Sequence, residues 1–514
     1  MQLKKLPIGI QTFSKIIEDN FVYVDKTDIA YNLIEKYQYV FLSRPRRFGK
    51  SLFLDTLRNI FEGNKELFSG LVILDKWNWE VKYPVIKISF AAGNLKTKKD
   101  LEEKWEEIFR NSQRYLKIDC EFEAGDRRCF SELIRKAYEK YQQKVVILVD
   151  EYDKPILDNI TNPEIANEMR DGLVDFYSVI KDSDEFIQFA FITGVSKFSK
   201  TSIFSGLNNI VDISLHREFG DICGYTQNDL ETVFKEHLEG ANMPMVKEWY
   251  NGYNFLGSPL YNPFDILQFI GNNFVFKNYW FESGSPSFLI NLIKKNQYFL
   301  PDLSNIKTNE SFLDAFSVEN LNIETILYQS GYLTIEKQSV NQMGELEYKL
   351  KIPNKEVQLS LNNYIIDNLI QDRNISTNRT SLFVALQDKN IEDFIKALKS
   401  IFASIPYNNY TNNHIQNYEG FYSSVVYVYL SSLGLNIIGE DVTNKGRIDL
   451  TIIMPNTIYI IEFKVDLTDN SALKQIKEKN YAQKYLNENK PIYLLGIEFS
   501  SSEKNISKFE WEKL

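Results

Sequence analysis

Cysteine, histidine and long uncharged apolar runs are all scarce in this chain, and each scarcity removes a class of protein. The three cysteines, Cys120, Cys129 and Cys223, show no CxxC spacing, so neither a disulfide framework nor a structural zinc site is expected and a reducing compartment fits. The three histidines, His216, His237 and His414, stand beside no serine or cysteine nucleophile, which removes histidine-based hydrolysis. Nowhere does the chain run for about 18 apolar residues without charge, and Met1 to Phe13 lacks the apolar core of a secretion signal. The expectation is a cytoplasmic protein with no membrane partner. Positive charge is also in deficit: a formal net charge of -10 argues against a chain built mainly to coat nucleic acid, while leaving room for one local basic groove.

Apolar residues are plentiful. With 44% hydrophobic and 14% aromatic residues over 514 positions, the chain can bury large cores and is long enough for two to four domains.

The chain is organised around Tyr39 to Leu57. The apolar run Tyr39-Val40-Phe41-Leu42 leads through Arg44-Pro45-Arg46-Arg47-Phe48-Gly49-Lys50-Ser51 into Leu52, Phe53, Leu54 and Leu57 at helical spacing. Strand, loop and helix in that order form a phosphate loop. The backbone N–H groups of Arg46, Arg47, Phe48, Gly49, Lys50, Ser51 and Leu52 would face phosphate at a helix N-terminus, Lys50 would neutralise the β and γ phosphates, and Ser51 would ligate Mg2+. Arg44 stands where the general pattern has glycine, so the turn is expected to be made by a non-glycine residue there, with Pro45 fixing the next.

A second buried run, Val145 to Val149, ends in Asp150-Glu151-Tyr152-Asp153, at the carboxyl edge where parallel α/β sheets bind ligands. Asp150 would complete the Mg2+ shell and Glu151 would polarise an attacking water. A third buried strand, Phe186 to Thr193, ends in Gly194-Val195-Ser196-Lys197. Thr193 or Ser196 either contacts the γ-phosphate or the attacking water, or simply caps the strand. Phe13 and Tyr23 either flank an adenine ring or join the core.

The aromatic stretch from Val211 to Phe281 reads as a helical lid whose aromatics form core. From Ser283 to Lys399 helices are interrupted by a hairpin, Tyr332–Ile335 with Tyr348–Ile352, a winged-helix-like pattern that suits duplex binding or a structural spacer. An Asn-rich connector at 408–413 follows. The expected division is 1–210, 211–282, 283–400 and 401–514.

Near the end, Gly446 to Ile453 and Ile458 to Lys464 are β-rich runs around the turn Met454-Pro455-Asn456-Thr457. With those four residues as the loop, Ile453 faces Ile458, and Asp449 falls opposite Glu462. Lys464 then shares their face. Opposed carboxylates repel unless a cation lies between them. Asp449, Glu462 and the Phe463 carbonyl suit Mg2+ or Mn2+, and Lys464 can steady a phosphorane or a water. Glu419 would lend another carboxylate from the start of a helix, and Gln475 and Tyr481, read as lying on one helix, would brace the site or touch the strand being cut.

These motifs together resemble a bacterial arrangement, an AAA-ATPase-like domain followed by a C-terminal PD-(D/E)xK nuclease domain. The resemblance rests on Tyr23-Val24-Asp25-Lys26-Thr27, Arg44 to Ser51, Asp150 to Pro155, Thr193 to Ser199, Gly446 to Asp449 and Glu462-Phe463-Lys464. It implies an α/β protein: an N-terminal P-loop NTPase domain with a parallel sheet, a helical or winged-helix-like middle, and a C-terminal α/β nuclease fold. It further implies ATP as cofactor, Asp150 and Glu151 as the Walker B pair, and Asp449, Glu462 and Lys464 as a nuclease triad with Glu419 as first-helix acid. Ile448 stands where the superfamily name places proline.

Three functions stay open on the sequence. One is an ATP-controlled, metal-dependent nuclease acting on DNA or RNA; another is a nucleotide-switched module that holds nucleic acid or protein without cutting; the third is an ATPase motor with a passenger domain. A homo-oligomer would let an arginine such as Arg217 reach a neighbour's nucleotide.

Overall fold

The longest N-terminal strands are mainly apolar, which suits strands covered on both faces. In the computed structural model the N-terminal strands form one parallel sheet: β1 (Tyr39–Ser43), β2 (Val85–Ser89), β3 (Val145–Asp150), β4 (Ile187–Gly194) and β5 (Val211–Asp212), in the order β2-β3-β4-β1-β5. The structure describes residues 3–197, 207, 209–280, 300–304, 306–309, 313, 322–370, 375–405, 419–467 and 471–514. The Asn-rich connector, residues 283–299 and the end of the Thr193–Ser199 motif lie outside them.

Parallel pairing brings the carboxyl ends of the strands to one edge. Ser43 aligns with Gly194 and Ser89 with Asp150, so the phosphate-loop strand and the acidic strand open on the same side with β4 between them. Helices Lys98–Leu116, Arg127–Tyr141 and Pro163–Asp182 pack among themselves and on β2 and β3. Their aromatic faces meet where Trp105 stacks on Phe176 with ring centroids 4.0 Å apart.

Phe13 belongs to this core. It is fully buried, 5.2 Å from Tyr23 and 4.8 Å from Phe68 between ring centroids. That leaves it no face for adenine. The lid segment holds helices Gln227–Thr232, Met243–Tyr250 and Pro263–Gly271 with a short antiparallel pair, β6 (Asn251–Tyr253) and β7 (Leu260–Tyr261). Tyr250, Phe269, Tyr261 and Tyr279 are core there, as expected.

Contacts divide the chain into two compact units, Met1–Trp280 with Lys307–Asn354, and Phe281–Ile306 with Lys355–Leu514. The segment 283–400, expected as one domain, is thereby shared between them. Its expected hairpin forms as β9 (Thr334–Val340) and β10 (Leu346–Lys351), with β8 (Lys307–Asn309) on the outer side of β10. The preceding helix Ile323–Ser330 contributes Gln329, which brackets the Lys197 backbone: Lys197 N–H donates to Oε1 at 3.1 Å and Nε2 donates to the Lys197 carbonyl at 3.3 Å.

The second unit is built on β11 (Asn436–Thr443), β12 (Gly446–Met454), β13 (Thr457–Val465), β14 (Ile492–Ser500) and β15 (Asn505–Lys513), in sequential order and antiparallel except for β13 with β14. A parallel pair needs a crossover. Here it carries the helix Ser471–Glu478 and the 3-10 segment Tyr481–Glu488 on one face of the sheet. Helices Glu419–Ser431 and Ile391–Ser404 cover the other face, where Tyr422 stacks on Phe499 at 4.2 Å and Phe402 meets Phe499 at 4.9 Å.

Two candidate active sites

The loop departs from its sequence reading in where its turn is made. The backbone is left-handed at Arg47 (φ 65°) and Gly49 (φ 96°) and not at Arg44. Arg44 instead is a buried clamp. Only 1% of it is exposed. Its Nη1 donates to the carbonyls of Ser43 at 2.9 Å and Ser214 at 2.8 Å, its Nη2 to those of Phe219 and Gly220 at 3.2 and 3.3 Å, and its guanidinium lies 4.0 Å over the Phe255 ring. A planar fork of donors serves several carbonyls at once, as glycine cannot.

Phe48 is a second anchor. It is fully buried against Tyr253 and Phe255, so only its backbone is available to a ligand. Arg46 and Arg47 are exposed, with Arg47 stacked 3.9 Å over Phe264, and Ser51 and Leu52 are half-buried at the start of helix Lys50–Phe61. Lys50 is 6% exposed, and its ammonium donates to the loop's own carbonyls at Arg44 (2.9 Å) and Pro45 (3.0 Å). Burial pulls this ammonium below its ordinary value, and Asp150 pulls it back most strongly.

Asp150 is 3% exposed with Oδ1 lacking a hydrogen-bond partner. A buried orphan carboxylate oxygen close enough to act on the Lys50 ammonium, which Ser51 follows in sequence, fits a Mg2+–nucleotide. Glu151 adopts φ 53°, and its carboxyl is pushed up by burial and then by Asp150. A left-handed glutamate costs about 1–2 kcal/mol, a strain typical of a side chain aimed for use. Thr193 and Ser196 are otherwise engaged: Thr193 Oγ1 donates to the Leu42 carbonyl at 2.9 Å, the strand-capping alternative, and Ser196 Oγ donates to Asp153. Asp153 also accepts from the Val195 and Ser196 N–H groups at 3.0 and 2.6 Å, and so holds the loop after β4.

In the second unit the hairpin has the expected register but a tighter loop. Ile453 pairs with Ile458 and Leu450 with Ile461, while Met454 pairs with Thr457, so only Pro455 and Asn456 form the turn. Beyond Leu450 the strands separate. The Asp449 carboxylate takes over the Phe463 N–H at 2.7 Å, and the Asp449 N–H points to Glu462 Oε2 at 3.4 Å. The two acids therefore converge.

Glu462 is 1% exposed and Gln475 Nε2 donates to its Oε1. Gly496, aligned with Glu462 on β14, allows this: a Cβ there would lie 2.3 Å from the Leu473 nitrogen, so only glycine lets helix Ser471–Glu478 approach. Lys464 Nζ reaches Glu419 Oε1 at 3.3 Å, Glu462 Oε1 at 3.9 Å and the Phe463 carbonyl at 2.8 Å. Tyr481 is buried, begins the separate 3-10 segment instead of sharing Gln475's helix, and lies within hydrogen-bonding reach of Gln475.

Burial raises Glu462 to about 8, with Asp449 adding to it, and raises Asp449 to about 6 against the opposing Phe463 N–H and Lys464. Among the described residues no group of three or more histidine, cysteine or acidic side chains is preassembled around a metal position. Two hard carboxylates held together at a desolvation penalty nevertheless suit a hard divalent cation, whose charge would remove that penalty.

The description "Predicted AAA-ATPase" matches residues 7–204, and that of the PD-(D/E)XK nuclease superfamily matches residues 417–509. An "Uncharacterized protein in vnfD 5'region" of Azotobacter chroococcum mcd 1 is 46% identical over 519 residues, covering 100% of each chain. The chain belongs to this bacterial family of AAA-ATPase-like proteins with a C-terminal PD-(D/E)XK nuclease domain. No solved structure matches it.

Members of such a family join a nucleotide-binding type of domain to one that generally uses a divalent metal. In this member Asp449, Glu462, Lys464, Glu419 and Gln475 are together on one side of the second unit, while Lys50, Asp150 and Glu151 meet at the carboxyl edge of the first, with Ser51 following Lys50 in the first turn of its helix. Arg217 is exposed and bonded to Gln338 at 2.8 Å. Sequence reasoning assigned no role to Asp153, Gln329, Asp441 or Gly496. An isolated glycine inside a strand pattern is a signal of close backbone approach and could have found the last. Among the described residues no helix is long and apolar enough to cross a membrane.

Proposed function

We propose that this chain is an ATP-binding, Mg2+- or Mn2+-dependent nuclease that hydrolyses phosphodiester bonds of DNA or RNA under nucleotide control. The observation that carries it is the convergence of Asp449 and Glu462 beside Lys464, all three partly or fully withdrawn from water. Asp449, Glu462 and the Phe463 carbonyl would hold the cation. When bound, it supplies a Lewis acid for the phosphate and lowers the pKa of a coordinated water. Lys464, held by Glu419, would face the charge that develops on phosphorus, and Gln475 would keep Glu462 oriented.

In the first unit Lys50 would exchange its two loop carbonyls for phosphate oxygens, Ser51 and Asp150 would share a Mg2+, and Glu151 would orient a water. Control by nucleotide is supported by the chain path, which crosses between units after Trp280, Ile306 and Asn354. A nucleotide that changes the first unit can bias the second through those covalent connections, provided it binds the two states unequally.

The net charge of -10 favours a second reading, a nucleotide-switched binding protein that does not cut. A panel of labelled DNA and RNA, incubated with Mg2+ or Mn2+ with and without ATP, separates the two. Cutting that vanishes in Glu462→Ala and Lys464→Ala supports the nuclease. Intact substrate under every condition, with ATP still bound, supports the binding protein.

A further inference from the structure

A cavity of about 360 Å³ opens where the β11–β12 turn meets the 3-10 segment, lined by Val442, Thr443, Asn444, Asn480, Tyr481, Gln483 and Lys484. Among the described residues lining it none is acidic, unlike the chain as a whole. Three of these side chains are carboxamides. Asn444 is exposed and makes no hydrogen bond among the described residues, while Gln483 accepts only a long 3.4 Å bond from Asn480. The carboxamides thus keep donors and acceptors for a ligand.

The walls are fixed. Lys484 is bound to Asp441 and to the Val442 carbonyl at 3.1 Å, Tyr485 donates to the same Asp441, and Thr451 donates to it at 2.9 Å, so the segment is pinned to β11 and β12. Tyr481 OH lies 2.9 Å from where a Cβ on Gly446 would stand. Tyr481 also adjoins Gln475, the residue that holds Glu462. From Gly446 to Asp449 is three residues of strand, roughly 10 Å, or about three stacked nucleotides along one strand at 3.4 Å each. Exposed Lys445 and Arg447 flank the turn.

We propose that this cavity receives one unstacked base of the nucleic-acid strand, within about three nucleotides of the bond cut, and reads its edge through Asn444 and Gln483. On the Hoogsteen edge a carboxamide matches adenine, whose N6–H donor adjoins the N7 acceptor, and not guanine, which shows two acceptors there, so adenine is the favoured occupant. A pocket at the small end of the ligand-site range suits a single base and not a duplex. This inference rests on the nuclease reading, whose metal-side residues it does not use.

The test uses the full chain carrying Glu462→Ala, with and without Asn444→Ala and Gln483→Ala together, and single-stranded DNA in which 2-aminopurine is placed next to an adenine at successive positions, because the probe itself lacks the N6 amine to be read. Binding to Glu462→Ala is expected to raise the fluorescence at one position, as a base leaving its stack does. The double substitution is expected to reduce that rise about fivefold or more. In parallel, wild-type cutting of a randomised library is expected to prefer adenine at that position, and the Asn444→Ala, Gln483→Ala protein to lose the preference.

A fluorescence rise that is unchanged by the double substitution, or cutting with the same base preference in both proteins, overturns the subsite while leaving the nuclease intact. A rise that depends on the two carboxamides in a protein that never cuts sinks the nuclease reading and leaves the subsite standing. No binding of any oligonucleotide overturns both.

Discussion

Replacing Glu462 with glutamine should make the protein more stable in alkali when no divalent cation is present. In the folded chain burial, with Asp449 second, lifts Glu462 from 4.5 to about 8, so between about pH 5 and pH 8 the folded state binds more protons than the unfolded one. Stability contributed by the protonated form is fully present below the unfolded pKa and is lost as pH rises through the folded one. At 1.36 kcal/mol per pKa unit the difference sets a ceiling of about 5 kcal/mol. Coupling to Asp449 and relaxation around the site lower the expected gain to about 2–3 kcal/mol. A glutamine keeps the shape and can still accept from Gln475, but it never ionises. Urea denaturation of wild type and Glu462→Gln in EDTA should therefore give curves that agree near pH 5 and diverge by pH 9, the variant being the more stable. Adding Mg2+ should raise wild type at pH 8 and leave the variant almost unmoved, because only wild type has two carboxylates to offer. A constant difference between the proteins from pH 5 to pH 9, with or without Mg2+, would refute the desolvated acid pair.

Arg44→Ala should destabilise the first unit by about 3–5 kcal/mol, since four buried carbonyl contacts and the Phe255 stack go together; thermal unfolding monitored on the full chain checks this, and a loss under about 1 kcal/mol would contradict the clamp. Lys50→Ala should weaken ATP binding by about tenfold or more, because it removes the cation nearest the phosphates while leaving the fold's core in place; titration calorimetry with ATP and Mg2+ reads it, and wild-type affinity would count against the site. Gly496→Ala should cost about 3 kcal/mol and abolish cutting, as the new methyl meets the backbone of helix Ser471–Glu478 and displaces Gln475 from Glu462. Retained cutting by Gly496→Ala at the wild-type rate would mean that this helix does not set Glu462.

Much of this protein was legible in its sequence because local patterns have local causes. The apolar run Val145–Val149 and the mainly apolar run Phe186–Thr193 become buried parallel strands, the second beginning at Ile187, since alternation is lost only when both faces are covered. The facing of Asp449 and Glu462 followed from counting outward along a hairpin, and survived a loop two residues shorter than expected because both ends of the turn shortened equally. The strand, loop and helix that carry Lys50 and Ser51 were equally plain, as they are contiguous in sequence.

What depended on distant parts of the chain was not legible. Arg44 looked like the residue that makes the loop's turn, but its partners lie about 170 residues further on, at Ser214 and Gly220. Ser196 looked available to a phosphate until Asp153, 43 residues earlier, claimed its hydroxyl. The division of 283–400 between two units, and the close seat that Gly496 gives the helix bearing Gln475, likewise arise from packing between segments far apart in sequence. Periodicity and spacing therefore determined which chemistry this chain's residues could support, because those signals reside in neighbouring residues. Only the tertiary structure decided which polar groups are still free to perform it, because burial and long-range hydrogen bonds exist only once the chain has closed on itself.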